Sequence, residues 1–351
     1  MKIALLNDTH FGVKNGSDIF LAYTEKFFDK VFFPYCVENN ISHIIHLGDY
    51  FDNRKFLNIK VLRHNYETFI SKLYENNISM DVILGNHDVY WKNTNKLNSV
   101  SQILNQYKII TIHEKPCEKT FDSLSIGFLP WIADDNYDES LEFINNSSAP
   151  IIVSHLELNG FKMMKGNIIS SHGMDHKIFD RYEMVLSGHY HTKSERDNIY
   201  YLGTQYELTW ADAGDLKYFH ILDTETRHLE KIENPYKLFQ RIYYDEDNIP
   251  ALDKTHIDGT YVKVIVTNKK DYYKFDKWLD TLHTHKPFDV KIVESFDELT
   301  SDNVDDDNIK IANTPSLINS YVDSIETDLD VELLKKQLQA LYVEAQSLDS
   351  I

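Results

Sequence analysis

The sequence predicts an α/β fold on three observations. Strand-length apolar runs alternate with amphipathic stretches over the first 84 residues. Most of these runs end on an acid, an amide or a histidine. Glycine stands immediately before several of those polar residues, where the backbone must turn sharply.

Residues 1–7 read as a first core strand, not as a signal peptide, because no long apolar region with a cleavage site is present. Residues 17–40 carry Phe20, Tyr23, Phe27, Val31 and Tyr35 at helical spacing, with Pro34 expected to kink the last part. The run Ile44, Ile45, His46, Leu47 is a buried strand that Gly48 turns toward Asp49. Residues 57–77 form a second amphipathic helix with Val61, Leu62, Phe69, Ile70 and Leu73 on one side. Residues 80–84 then form a strand leading into Gly85. This order implies right-handed crossovers and a parallel sheet, with ligands collecting at the carboxyl ends of its strands.

Shorter strands are predicted over residues 107–130, broken at Lys115-Pro116 and Asp122-Ser123. Residues 151–153 lead to His155, and residues 184–186 to Ser187-Gly188-His189. Residues 199–202 and 218–222 are expected to close the sheet. A boundary falls near Asn234-Pro235. The predicted organisation is a main domain over 1–234, a small α/β capping domain over 235–298, an acidic linker over 299–315 and a helical docking segment over 316–351. Leu329, Leu333, Leu334, Leu338, Leu341, Tyr342 and Ala345 supply the apolar stripe of that segment.

A hydrophobic content of 42% is enough for a sizeable core, and no apolar run approaches a membrane span. The only cysteines, Cys36 and Cys117, provide no disulfide framework and fit a reducing cytoplasm. A net charge of −19 argues on its face against a nucleic-acid partner. However, fourteen acids against Lys310, Lys335 and Lys336 concentrate −11 of it in residues 294–351. Bound cations and a local basic rim can attract phosphate regardless of the total.

Asp8, His10, Asp49, Asn86, His155, His189 and His191 form a candidate ligand set for two divalent cations. Imidazole, carboxylate and amide ligands suit such a pair, and one carboxylate must bridge it. The Asp-x-His and His-x-His spacings put both members of a pair on one side of an extended segment. Each fragment alone is an ordinary turn or core residue. Their joint occurrence, each after a strand, points to a metal centre with Asp49 as the bridge.

The ordered set resembles the calcineurin-like metallophosphoesterase superfamily over roughly residues 1–225. The resemblance implies a sandwich of two central mixed β-sheets flanked by helices. It assigns Asp8, His10, Asp49 and His191 to one cation, and Asp49, Asn86, His155 and His189 to the other. It gives His87 contact with the scissile phosphate and help in protonating the leaving oxygen, with Asp88 orienting its ring. The stretches 155–161 and 128–131, with Lys165-Gly166, are similar to the recombination nucleases of T4-like phages, bacterial SbcD and the meiotic-recombination-eleven nucleases. That branch implies a manganese (or magnesium) dependent DNA nuclease, acting as an exonuclease on duplex ends and an endonuclease on single strands. It further implies an SbcC-like coiled-coil ATPase partner, a homodimer through the helices of residues 17–40 and 57–77, and a cytoplasmic location (that of the host for a phage protein). Cellular members often carry a second histidine where this chain has Asp52.

Arg54 and Lys55, with Tyr90, Trp91 and Lys92, put basic and aromatic side chains beside the motifs and are candidate DNA contacts. The eleven other histidines, among them His43, His46 and His172, are read as structural or exposed. Two rivals stand beside the nuclease reading. One is a phosphatase or small-molecule phosphodiesterase on the same scaffold. The other is a binding scaffold without turnover, for which eroded ligands would be expected.

Overall fold

The computed structural model describes residues 1–164, 168–170 and 173–294. Alternation along the first strand sets the layering. In Lys2–Leu6, Ile3 and Leu5 face one apolar cluster while Ala4 and Leu6 face another. The strands Lys2–Leu6, His43–His46, Ser79–Ile83 and Ile110–His113 pair in parallel. Tyr218–Asp223 and Leu229–Glu233 extend this sheet antiparallel on the other side. A second six-stranded sheet centres on Ile151–His155, with Met184–Gly188 and Leu124–Leu129 parallel to it. The two sheets share an interior of Ile3, Leu5, Ile45, Ile126, Phe128, Val153 and Leu186. Helices cover both outer faces, so the layers run helix, sheet, sheet, helix.

The expectation that residues 199–202 and 218–222 close one sheet is corrected. Ile199–Tyr201 pairs with Met184–Gly188 in the second sheet, whereas Tyr218–Asp223 pairs with the first strand of the other. Strand propensity is local, but the choice of partner is not. Around Pro34 the helix changes its winding. The helical run of residues 18–38 widens into a π turn at Phe28–Phe32, with Phe33 between that turn and Pro34, which lacks an N–H. The second helical run, residues 59–75, widens likewise at Tyr66–Ile70, and Phe28 and Phe69 pack there with ring centroids 5.0 Å apart.

A three-stranded sheet of Phe239–Asp245, Tyr261–Asn268 and Asp289–Val293 carries the helix Tyr272–Thr284 and its own core of Tyr244, Val262, Val264, Phe275, Trp278 and Leu282. Met1–Ile292 form one compact unit. The expected linker over 299–315 and the helical segment over 316–351 lie outside the described residues.

A network of charge lies beside the apolar interior of the sandwich. Asp81 is fully buried, and both Lys119 Nζ (2.7 and 2.8 Å) and the rings of His43 and His113 (2.6 Å each) meet its carboxylate. Lys119 belongs to the second sheet and the two histidines to the first, so the network ties the sheets together. Burial alone would lower the pKa of His113, but hydrogen bonds to Asp81 and Cys117 outweigh it and raise the value to about 9. The carboxyl of Asp81 is also buried, and its three partners hold it below the usual carboxylate range.

A raised histidine stabilises the fold fully below its unfolded value near 6.5 and loses that contribution as pH rises through about 9. A depressed carboxylate contributes above its ordinary range and loses the contribution on acidification. Denaturant unfolding should therefore find wild type more stable than Asp81→Asn by about 3–5 kcal/mol near pH 6, as expected when one partner of a buried ion pair is removed. The gap should narrow toward pH 9 and again in acid. A gap independent of pH would contradict this account.

Candidate metal centre

Four of the seven candidate ligands have backbones in the left-handed region: Asp8 (φ 47°), His10 (φ 43°), Asp49 (φ 54°) and His189 (φ 89°). L residues seldom adopt that conformation, and surrounding contacts must hold it in place. The holding groups are visible. Asp8 N donates to Gly48 O at 2.9 Å and His10 N to Asp49 O at 3.1 Å, which locks the first two strand-end loops together. The carboxylate of Asp88 accepts backbone N–H bonds from Asp49, Tyr50, Phe51 and Gly85 at 2.8–3.2 Å, which locks the second loop to the third. His189 N donates to Asp8, and His87 N to Asp49 Oδ1 at 2.7 Å.

Close approach explains the glycines. A Cβ on Gly85 would lie 2.2 Å from Asp49 Oδ1, one on Gly48 would lie 2.7 Å from His155 Nδ1, and one on Gly188 would lie 2.8 Å from Asp8 Oδ2. Each would displace a candidate ligand.

The side chains fall into overlapping groups. Asp8, His10 and His191 present ligand atoms within 4.8 Å of one another, and so do Asp49, His155 and His189. Asp49 Oδ2 stands between them, 3.7 Å from His10 Nε2 and 3.4 Å from His155 Nε2. Asn86 Oδ1 joins the second group, 3.0 Å from His155 Nε2 and 2.9 Å from His189 Nδ1. All seven candidates thus converge on one sheet edge.

The donor set fits divalent cations. His155 Nδ1 donates to Leu47 O, so Nε2 is the nitrogen that faces Asp49 and Asn86 and that a cation would take in exchange for its proton. His10 Nε2 is buried without a hydrogen-bond partner, with carboxylate oxygens of Asp49 and Asp8 3.7 and 4.0 Å away. Burial and the neighbouring His155 lower His189 to about 3, so its ring is neutral and able to bind a metal.

A third group combines His10, Asp52 and His87. Asp52 Oδ1 is 3.2 Å from His10 Nδ1, and the backbone carbonyl of Asp52 accepts from His87 Nδ1 at 2.9 Å. This corrects the expected task of Asp88: its oxygens are taken up by backbone amides, and Asp52 orients the ring of His87. Sequence reasoning flagged Asp52 only as a departure from the cellular pattern. Trp131 belongs to the stretch 128–131 that carries the nuclease resemblance, which gives it no place at the site; its ring centroid lies 5.5 Å from that of His189 and 6.1 Å from that of His155.

Of the candidate DNA contacts, Arg54 is half-buried, while Lys55, Trp91 and Lys92 are exposed. Lys55 Nζ lies 5.7 Å from the centroid of Tyr90, whose ring packs at 4.7 Å on Trp91. The two segments therefore meet at one rim.

The chain belongs to the calcineurin-like phosphoesterase family, whose model matches residues 1–193. The fold is that of the family, whose members use divalent metals, and the chain is a phosphodiester hydrolase. It is 34% identical over 349 residues to exonuclease subunit 1 of Enterobacteria phage T4, a match that covers 98% of this chain and 99% of that protein. Among solved structures it resembles an archaeal phosphodiesterase (18% identity, 67% of this chain and 100% of the other, TM-score 0.33). It also resembles a purple acid phosphatase from yellow lupin seeds (11% identity, 66% and 51%, TM-score 0.42). Among the described residues no helix is long and apolar enough to cross a membrane.

Burial would lower the pKa of His10 and His155, but hydrogen bonding to Asp52 for His10 and the charge of Asp49 for His155 outweigh it and raise both to about 9. Protons drawn onto these rings compete with cations for the same nitrogens. Manganese binding at pH 7 is therefore expected to release roughly one to two protons, counted by calorimetry in buffers of different ionisation enthalpy. Affinity should tighten as pH rises and level off above about 9. Binding with no proton release would contradict the assignment of these two rings.

Proposed function

We propose that this chain is the nuclease subunit of a DNA end-processing machine. The observation that carries the reading is the convergence of six other nitrogen and oxygen ligands around Asp49 in a chain similar, over nearly its whole length, to a phage protein named as an exonuclease subunit. In this reading Asp8, His10, Asp49 and His191 hold one cation, and Asp49, Asn86, His155 and His189 hold the other. Two divalent ions, manganese in preference to magnesium, supply Lewis acidity toward the phosphoryl oxygens and lower the pKa of the attacking water.

The protein's own side chains do the rest. The carbonyl of Asp52 fixes the proton of His87 on Nδ1, which leaves Nε2 for the substrate. That nitrogen, when protonated, contacts the scissile phosphate and delivers a proton to the departing sugar oxygen. Asp88 keeps the loops of Asp49 and Gly85 in register. Lys55, Tyr90, Trp91, Lys92 and Arg54 form a basic and aromatic rim suited to phosphates and unpaired bases.

The reading extends to exonuclease action on duplex ends, endonuclease action on single strands, and work in recombination and repair with an SbcC-like ATPase in the cytoplasm. Domains at 1–234 and 235–298, the latter a capping and DNA-contact domain, and a homodimer through the helical runs 18–38 and 59–75 belong to the same proposal. Support for a partner comes from the relative's name as a subunit.

Labelled linear duplex and single-stranded DNA, incubated with manganese, test the reading. Wild type should cut both, and His87→Ala should bind manganese normally yet cut at least about 100-fold more slowly. Equal cutting by the variant would remove His87 from the mechanism. Turnover of phosphomonoesters or small phosphodiesters with no cutting of DNA, even with the ATPase added, would favour a phosphatase.

A further inference from the structure

Lys217 is 1% exposed and Asp212 2% exposed, and their charged atoms are 2.5 Å apart. A buried pair of this kind is costly to desolvate and is weak evidence for stability, so its presence calls for a local reason. Its surroundings supply one. Lys217 Nζ also donates to the backbone carbonyl of His191 at 3.0 Å, and Thr204 N donates to the same carbonyl at 3.0 Å. The other oxygen of Asp212 accepts from the amides of Leu208 and Thr209 at 3.0 and 2.9 Å.

The segment that the pair closes, residues 203–217, grips the rest of the same ligand group. Gly203 O accepts from the side chain of Asn7, which also donates to Asp8 Oδ2. Tyr206 Oη donates to the carbonyl of Thr9, between Asp8 and His10, at 2.6 Å. One segment thus holds the backbone at or next to Asp8, His10 and His191. It lies beyond residue 193, where the family model ends. It also receives the small sheet: Glu207 Oε2 accepts from the amides of Leu238 and Phe239, and Arg241 Nη2 donates to Trp210 O at 2.6 Å.

We propose that the buried Lys217–Asp212 pair is a positioning device for the Asp8/His10/His191 group, fixing His191 through its carbonyl and thereby setting the affinity for one cation of the two. The inference rests on the reading that this group holds a cation. Lys217 touches neither substrate nor cation. It acts on the ligand through the main chain, as groups behind a metal ligand commonly do.

The test is manganese binding by calorimetry and electron paramagnetic resonance, with wild type compared to the double variant Lys217→Met/Asp212→Asn. The asparagine keeps an acceptor for the amides of Leu208 and Thr209, and the carboxylate that loses its lysine, Asp215 at 3.4 Å from Lys217 Nζ, is only half-buried and reaches solvent. Wild type should bind two ions and give a spin-coupled spectrum. The folded variant should bind one ion as tightly as wild type and the other about 10–100-fold more weakly. Its spectrum at the wild-type saturating concentration should be that of an isolated ion.

Unchanged affinity for both ions in the variant would overturn the inference. Fewer than two ions in wild type would instead overturn the reading beneath it. If the variant does not fold, hydrogen exchange on wild type decides: adding manganese should slow exchange over residues 203–217, because coupling is reciprocal. No change there would overturn the proposal.

Discussion

The carboxylate of Asp88 is the contact on which the site depends. It is buried, and it gathers four backbone amides from two strand-end loops that would otherwise leave those donors unpaired. Asp49 sits in a left-handed conformation within that grip, one residue after Gly48 and against Gly85, with no room for a Cβ on either glycine. A carboxylate placed this way cannot relax away from its neighbours. Asp49 therefore stays between His10 and His155, where two cations would share it.

The architecture delivers the remaining ligands to the same edge. Parallel pairing of the first sheet aligns the carboxyl ends of three strands, which bring Asp8 with His10, Asp49, and Asn86 with His87. The second sheet brings His155 at the end of one strand and His189 just past the end of the parallel strand beside it, with Gly188 paired to His155. The apolar interior between the sheets holds the two edges together, and the Asp81 network fixes them elsewhere through charge.

Much of this is legible in the sequence because polar residues at the ends of apolar runs stand out from a core pattern. Asp8, His10, Asp49, Asn86, His155, His189 and His191 are found that way, and the structure gathers all of them. Sheet membership is less legible: the strands Ile199–Tyr201 and Tyr218–Asp223 look alike locally but join different sheets. The task of Asp88 is hidden because its partners are main-chain amides, which carry no sequence signal. Lys217 is hidden for another reason. It lies between the strands expected at 199–202 and 218–222, outside any apolar run, and only tertiary packing buries it with Asp212.

In the proposed centre two cations would share Asp49. Anomalous diffraction from crystals of the protein grown with manganese tests it most directly. The account predicts two peaks about 3.5–4 Å apart, both in contact with the carboxylate of Asp49. A single peak, or two peaks of which only one touches Asp49, would contradict it.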